Sequence, residues 1–202
     1  MKAAFLILSY LIGSVPFGYI VFRLGGDGGK DIRRFGSRST GATNVLRLKG
    51  WKSAVPVAVM DVLKAVVPVW LALRIFHDRR MAMAAAFMVV LGHCYPVFIR
   101  FRGGKGVSTA MGAFSVLSPF HFLLSLVVFV GVIAATRFVS LGSLAAVLSF
   151  SLFTFTLRGD RDLGALGLAL LILIAVRHAA NIGRLIRGRE RKLGQQERVE
   201  RG

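Results

Sequence analysis

The chain has 202 residues, 55% of them hydrophobic, and a formal net charge of +18. A soluble domain of this length needs far more polar surface, so the composition excludes an ordinary globular fold and points to a membrane protein. The basic residues gather in short connections and in the tail, which directs them towards anionic headgroups or phosphorylated substrates rather than nucleic acid.

The first apolar stretch, Ala3 to Phe22, lacks a small-residue cleavage site and leads into a glycine-rich loop. It reads as a retained helix rather than a signal peptide. Gly13, Pro16 and Gly18 lie inside it, and Ser14-x-x-x-Gly18 permits close helix packing. Further spans are expected at Ser53 to Ile75, Met81 to Ile99, Val139 to Leu157 and Leu163 to Arg184. The stretch from Gly106 to Thr136 is too long for one helix and is broken at Ser118-Pro119, giving two shorter ones. The expectation is therefore an all-α transmembrane bundle of about seven spans, one domain over residues 1–192, with a charged, disordered tail at 193–202. Seven spans would place 20 of the 27 lysines and arginines on one face. That face should be cytoplasmic, with the N-terminus outside and the C-terminus inside. The single cysteine, Cys94, excludes an intrachain disulfide.

Three segments on that face carry residues suited to chemistry. The loop Gly36 to Arg47 offers hydrogen bonds from Ser37, Thr43 and Asn44, and guanidinium forks from Arg38 and Arg47. The segment Gly92 to Thr109 ends one helix, runs through Arg100, Arg102, Gly103, Gly104 and Lys105, and starts another. Amides around Gly103 and Gly104 are expected to form an anion-binding concavity there. The spacing does not fit a nucleotide P-loop, because Ile99 stands where the first glycine belongs. His93 and Cys94, adjacent on a helix, point about 100° apart and make no nucleophilic pair. No aspartate follows His93, His121 or His178 at the spacing that many soluble acyltransferases use. In the third segment, Arg177 to Glu190, helical spacing gives His178, Asn181 and Arg184 one face. Asp61 and Lys64, inside the second span, read as a structural ion pair.

Together these segments resemble the bacterial acyl-phosphate:glycerol-3-phosphate acyltransferase family (PlsY), over nearly the whole chain. Gly36, Ser37, Gly41, Ala42, Thr43, Asn44 and Arg47 match its first motif, Gly92 to Lys105 its second. Arg177, His178, Asn181, Ile182, Arg184, Leu185, Gly188 and Glu190 match its third. Ser39-Thr40, Arg102 and the Ala179, Ala180 and Gly183 positions depart from the usual pattern. The resemblance implies acyl transfer from acyl phosphate to the sn-1 hydroxyl of glycerol 3-phosphate in a bacterial inner membrane, with the active site facing the cytoplasm. It implies no cofactor, metal, nucleic acid or obligate protein partner, only the two substrates and membrane lipids. Ser37, Arg47, His93, Lys105, His178 and Asn181 are then the expected catalytic residues. Thr43, Asn44, Arg102, Gly103, Gly104 and Arg184 are the expected substrate contacts. An organophosphate transporter fits the broken helices, and a lipid-binding scaffold fits the charge. Against the transporter, the sequence shows no convincing inverted repeat, and its basic loops sit at one face rather than mid-membrane; the scaffold leaves the hydroxyl- and amide-bearing loops unexplained.

Overall fold

A computed structural model describes residues 1–25, 30–157 and 159–195. The described residues are helical, with no strand among them. The first apolar stretch is two helices, α1 (Lys2–Gly13) and α2 (Phe17–Leu24). They part at Ser14 to Pro16, because Pro16 has no N–H and its ring clashes with the preceding turn. A 3-10 turn, Ile32–Arg34, leads to α3 (Ala42–Lys49), then to α4 (Trp51–Phe76) and α5 (Arg79–Cys94). A second 3-10 turn, Val97–Ile99, precedes α6 (Val107–Leu117) and α7 (Pro119–Thr136). The series ends with α8 (Val139–Thr156), α9 (Arg161–Arg177) and α10 (Ala179–Ile186).

Five segments are long and apolar enough to cross a membrane, and a sixth is added if α9 and α10, bent by 71°, count as one. The expected break at Ser118-Pro119 is present. Of the seven expected crossings, the one carried by α6 has only 11 residues. At 1.5 Å per residue it covers about 16 Å, half of a hydrocarbon core. Of the tail expected to begin at residue 193, Leu193 is tied to Arg137 by two hydrogen bonds, its N–H to Arg137 O and an Arg137 guanidinium N–H to its own carbonyl. Residues 196–202 of that tail lie outside the described residues.

Small residues set the helix spacing. A Cβ on Gly13 would sit 2.1 Å from Val89 O, and one on Gly92 would sit 2.2 Å from Tyr10 O. The backbones of α1 and α5 thus touch, as glycine permits in lipid, where packing rather than water exclusion drives association. The core between α4, α5, α6, α8 and α9 is accordingly built from Ala65, Ala82, Ala86, Val89, Ala110 and Ala146, with Phe114 and Phe150 stacked across it. By contrast α7 buries little of itself and presents its apolar side chains outward. A second small core of Phe22, Ile32, Val45, Ala54 and Val57 clamps the 30–50 segment onto α2 and α4. That clamp holds the first motif in place.

The connections separate into two ends. At one, Lys2 pairs with Asp78, Arg79 with Asp160 and Arg80 with Asp162. At the other, Arg33 donates to Ile99 O, Lys105 to Asn181, and Arg137 to Leu193 O. The three motifs meet at this second end.

Candidate active site

A cavity at that end is lined by Ser37, Thr43, Asn44 and Arg47 of the first motif and by His93, Lys105, Gly106, Val107 and Ser108 of the second. His178 and Asn181 of the third complete it, with Asp61, Phe129, Val139, Ser140 and Ser143 as further walls. Arg47 and Lys105, from segments far apart in sequence, therefore face one space. Asp61 lies well inside α4, so the cavity reaches into the bundle rather than lying flat on its rim.

Arg47 sits on α3, not in a loop as the sequence suggested. Gly41 caps that helix with extended backbone, and Asn44 N–H bonds to Gly41 O at 3.0 Å. The Asn44 side chain is 1% exposed and fully used: Oδ1 accepts from Ser37 N–H at 2.9 Å, while Nδ2 donates to Ser39 O at 2.9 Å and Phe35 O at 3.3 Å. It shapes the loop that presents Ser37 and lines the cavity.

Gly103 and Gly104, expected to cradle an anion, are not among the residues that line the cavity. Gly104 N–H donates to His93 O at 3.0 Å, and both glycine carbonyls accept from Arg177. A Cβ on Gly104 would lie 2.0 Å from His93 Nε2, and one on Gly103 would lie 2.2 Å from His93 O. These glycines let the chain press against the end of α5. Val107 and Ser108, which line the cavity, belong to the first turn of α6, where a helix has N–H groups with no partner of its own.

Lys105 Nζ donates to Asn181 Oδ1, Asn181 Nδ2 donates to Glu190 Oε1 at 2.6 Å, and Ser140 Oγ donates to the same oxygen at 2.9 Å. Arg184 Nε holds the other carboxylate oxygen at 2.7 Å. Arg184 thus braces Glu190 and does not line the cavity, contrary to expectation. Burial brings the Lys105 ammonium down to about 8, with Arg47, Arg184 and Arg177 pushing the same way and Glu190 opposing them. Glu190 itself stays below the usual carboxylate range: burial disfavours its charge, but the hydrogen bonds from Asn181, Arg184 and Ser140 outweigh that. His178 Nδ1 lies 2.8 Å from Ile174 O, which can only accept, so this nitrogen carries the proton and Nε2 keeps a lone pair in the neutral ring.

Two other expectations change. Arg102 lies in a separate basin with Arg33, Arg34, Arg38, Gly103 and Arg177, away from the cavity. Asp61, read as half of a structural pair, is 2.8 Å from Lys64 Nζ but also 3.4 Å from His93 Nδ1, and it lines the cavity. Lys64 in turn donates to Val15 O, at the break between α1 and α2. His93 therefore does have an aspartate, one supplied by another helix. Glu190 and Ser140 had no role in the sequence reading beyond Glu190 closing the third motif. Among the described residues, no three His, Cys, Asp or Glu cluster as metal ligands.

The family model described as glycerol-3-phosphate acyltransferase matches residues 3–188. A glycerol-3-phosphate acyltransferase of Thermoanaerobacter sp. (strain X514) is 40% identical over 194 residues, covering 96% of each chain. One from Aquifex aeolicus (strain VF5) is 40% identical, covering 95% of this chain and all of the relative. Among solved structures, the crystal structure of PlsY, an integral membrane glycerol 3-phosphate acyltransferase, in its glycerol 3-phosphate form superposes with a TM-score of 0.90 at 39% identity over 96% of each chain. Its lysophosphatidic acid form gives a TM-score of 0.86 at 38% identity, again over 96% of each chain. The chain belongs to the glycerol-3-phosphate acyltransferase family.

Proposed function

We propose that this protein transfers a fatty acyl group from acyl phosphate to the sn-1 hydroxyl of glycerol 3-phosphate, releasing lysophosphatidic acid and inorganic phosphate. The observation that carries the reading is the convergence of Arg47 and Lys105 on one cavity with Ser37, His178 and Asn181. Two phosphate-bearing substrates repel at contact unless cations lie between them. A guanidinium and an ammonium in one partly enclosed space supply that condition.

Acyl phosphate is an activated mixed anhydride, so the residues have to bind, orient and stabilise charge. In this reading Lys105 and the Val107 and Ser108 amides hold the acyl phosphate. Arg47 and Ser37 hold glycerol 3-phosphate, and Thr43 lines the entry between them. The sn-1 oxygen attacks the acyl carbon, the bond from that carbon to the phosphate oxygen breaks, and the departing phosphate takes the hydroxyl proton. His178 Nε2 accepts from the hydroxyl before attack and so orients it. The acyl chain leaves the cavity beside Phe129 and Val139, towards lipid.

The orientation follows the same reading: seven crossings, with α6 and α7 entering and returning, the N-terminus outside and the active site cytoplasmic in a bacterial inner membrane. The excess of lysine and arginine at the motif end supports it, as does the clustering of Lys2, Asp78 and Asp160 with their partners at the other end. In this reading the short α6 begins its crossing among the residues that line the cavity.

Purified protein in micelles, given palmitoyl phosphate and glycerol 3-phosphate, should make 1-acyl lysophosphatidate. Turnover with acyl-CoA or acyl carrier protein thioesters would refute the donor assignment. Acyl groups found first at sn-2 would refute the acceptor geometry.

A further inference from the structure

The motif end holds a second concavity that the proposed reaction does not use. Arg33, Arg34, Arg38, Arg102 and Arg177 surround a volume of about 480 Å³ together with Gly103. It shares no residue with the catalytic cavity, yet the two lie back to back. Gly103 faces the basin while Lys105 faces the cavity, and Arg177 faces the basin while His178 faces the cavity.

Charge in the basin is not balanced from within. Asp31 neutralises Arg33 at 2.7 Å. Arg177 donates to the Gly103 and Gly104 carbonyls and lies over the Tyr95 ring, so it meets dipoles and a π face but no carboxylate. Arg34, Arg38 and Arg102 are exposed and form no ion pair with a described residue. A surface needing only solubility would intersperse acids among these groups.

The basin is also held in shape. Arg33 Nη1 donates to Ile99 O at 2.7 Å, tying the segment that carries Arg34 and Arg38 to the one that carries Arg102. Arg38, Arg100 and Phe101 have φ near +57°, +56° and +59°, a left-handed conformation that non-glycine residues adopt at a cost. Phe101 N–H closes the turn on Pro96 O at 2.9 Å. On the same turn Phe98 and Phe101 are more than half exposed, so apolar rings stand next to the arginines at a membrane border.

We propose that this basin is a second phosphate-binding site, separate from the catalytic cavity and independent of which acyl donor that cavity accepts. Guanidinium groups on two tethered segments match the several oxygens of one phosphate, which can be a phospholipid headgroup or free phosphate.

The test uses the full chain in neutral detergent at low salt. R34Q/R38Q/R102Q empties the basin of its unpaired charges, and K52Q/R187Q/R189Q removes three exposed charges of the same end that do not line it. Calorimetry with inorganic phosphate reports the free ligand. Native mass spectrometry counting retained phosphatidylglycerol against phosphatidylcholine reports the lipid. Loss of at least about tenfold in phosphate affinity at one of two sites, in the basin variant alone, supports the proposal with free phosphate as ligand. Selective loss of one retained phosphatidylglycerol in that variant supports it with lipid as ligand. If both variants behave alike in both measurements, charge at this end is diffuse and the proposal is overturned.

Discussion

Replacing Glu190 by Gln should move the alkaline limit of catalysis towards lower pH. Lys105 Nζ reaches Asn181 Oδ1, and the amide of Asn181 passes on to Glu190 Oε1 at 2.6 Å. The two charges are therefore separated by one amide group, about 7 Å at most. At an effective dielectric of 20 such a pair is worth about 2 kcal/mol, and salt reduces this to roughly one pH unit of effect on the lysine. Glu190 raises the Lys105 pKa, whereas burial and three arginines lower it. Removing the carboxylate leaves only the lowering influences. Lys105 is cationic below about 8 and neutral above it, so kcat/KM for acyl phosphate should fall above that value in the wild-type chain. In Glu190→Gln the fall should begin about one unit earlier. The glutamine keeps an oxygen for Asn181, so a structural defect alone would scale the whole profile down without sliding it. A pH series from 6 to 10 in one detergent, with both variants folded by thermal melt, decides the matter. A limb that stays fixed or moves to higher pH would show that Lys105 does not set it.

Other expectations follow from single contacts. Arg47→Ala should lower kcat/KM at least about a hundredfold, the loss of charge-assisted bonds to phosphate, with the melting temperature little changed; near-normal turnover would remove Arg47 from the site. Gly104→Ala forces a methyl into the His93 ring, and overpacking of this kind costs about 1–3 kcal/mol, so both stability and activity should drop, which denaturation and turnover measured side by side will show. Asp61→Asn leaves Lys64 buried without its counter-charge and should destabilise by about 3–5 kcal/mol. The double variant D61N/K64M should recover much of that stability but not activity, because His93 still lacks its aspartate; recovery of both would make the pair purely structural.

Periodicity and hydropathy exposed the bundle because lipid demands long apolar helices whose backbones satisfy themselves. The motif segments were legible for a related reason: glycines and cations have no business together in a lipid-facing helix. What the sequence concealed was set by direction. Arg102 and Lys105 are near neighbours, and nothing in their spacing says that the chain turns between them. The left-handed residues Arg100 and Phe101 and the pressing of Gly103 and Gly104 against α5 send the two cations into different spaces. The bend at His178 has neither proline nor glycine to announce it. It arises where His178 N–H bonds to both Ile174 O and Ala175 O, and it carries Arg177 and Asn181 to different tasks. Asp61 escaped for the converse reason, since its nearest basic neighbour on the same helix, Lys64, already explained it.

These concealed features share one physical cause, which bears on how such a site works. Three cations at this end are backed by groups from another segment: Lys105 by Asn181 and Glu190, Arg177 by the Gly103 and Gly104 carbonyls, and Arg33 by the Ile99 carbonyl. An unbraced lysine on a glycine-rich loop would pay side-chain and backbone entropy each time it closed on a phosphate. Braced in advance, it gives up little freedom on binding, so more of the interaction is left for orienting two mutually repelling substrates. Restoring that freedom should therefore damage turnover even with every cation still present. Asn181→Ala is the direct case: it keeps Lys105, Arg47 and Glu190 but removes the amide between lysine and carboxylate. Its kcat should fall more than its affinity for acyl phosphate, and a weakened affinity with kcat unchanged would mean that the brace serves binding alone.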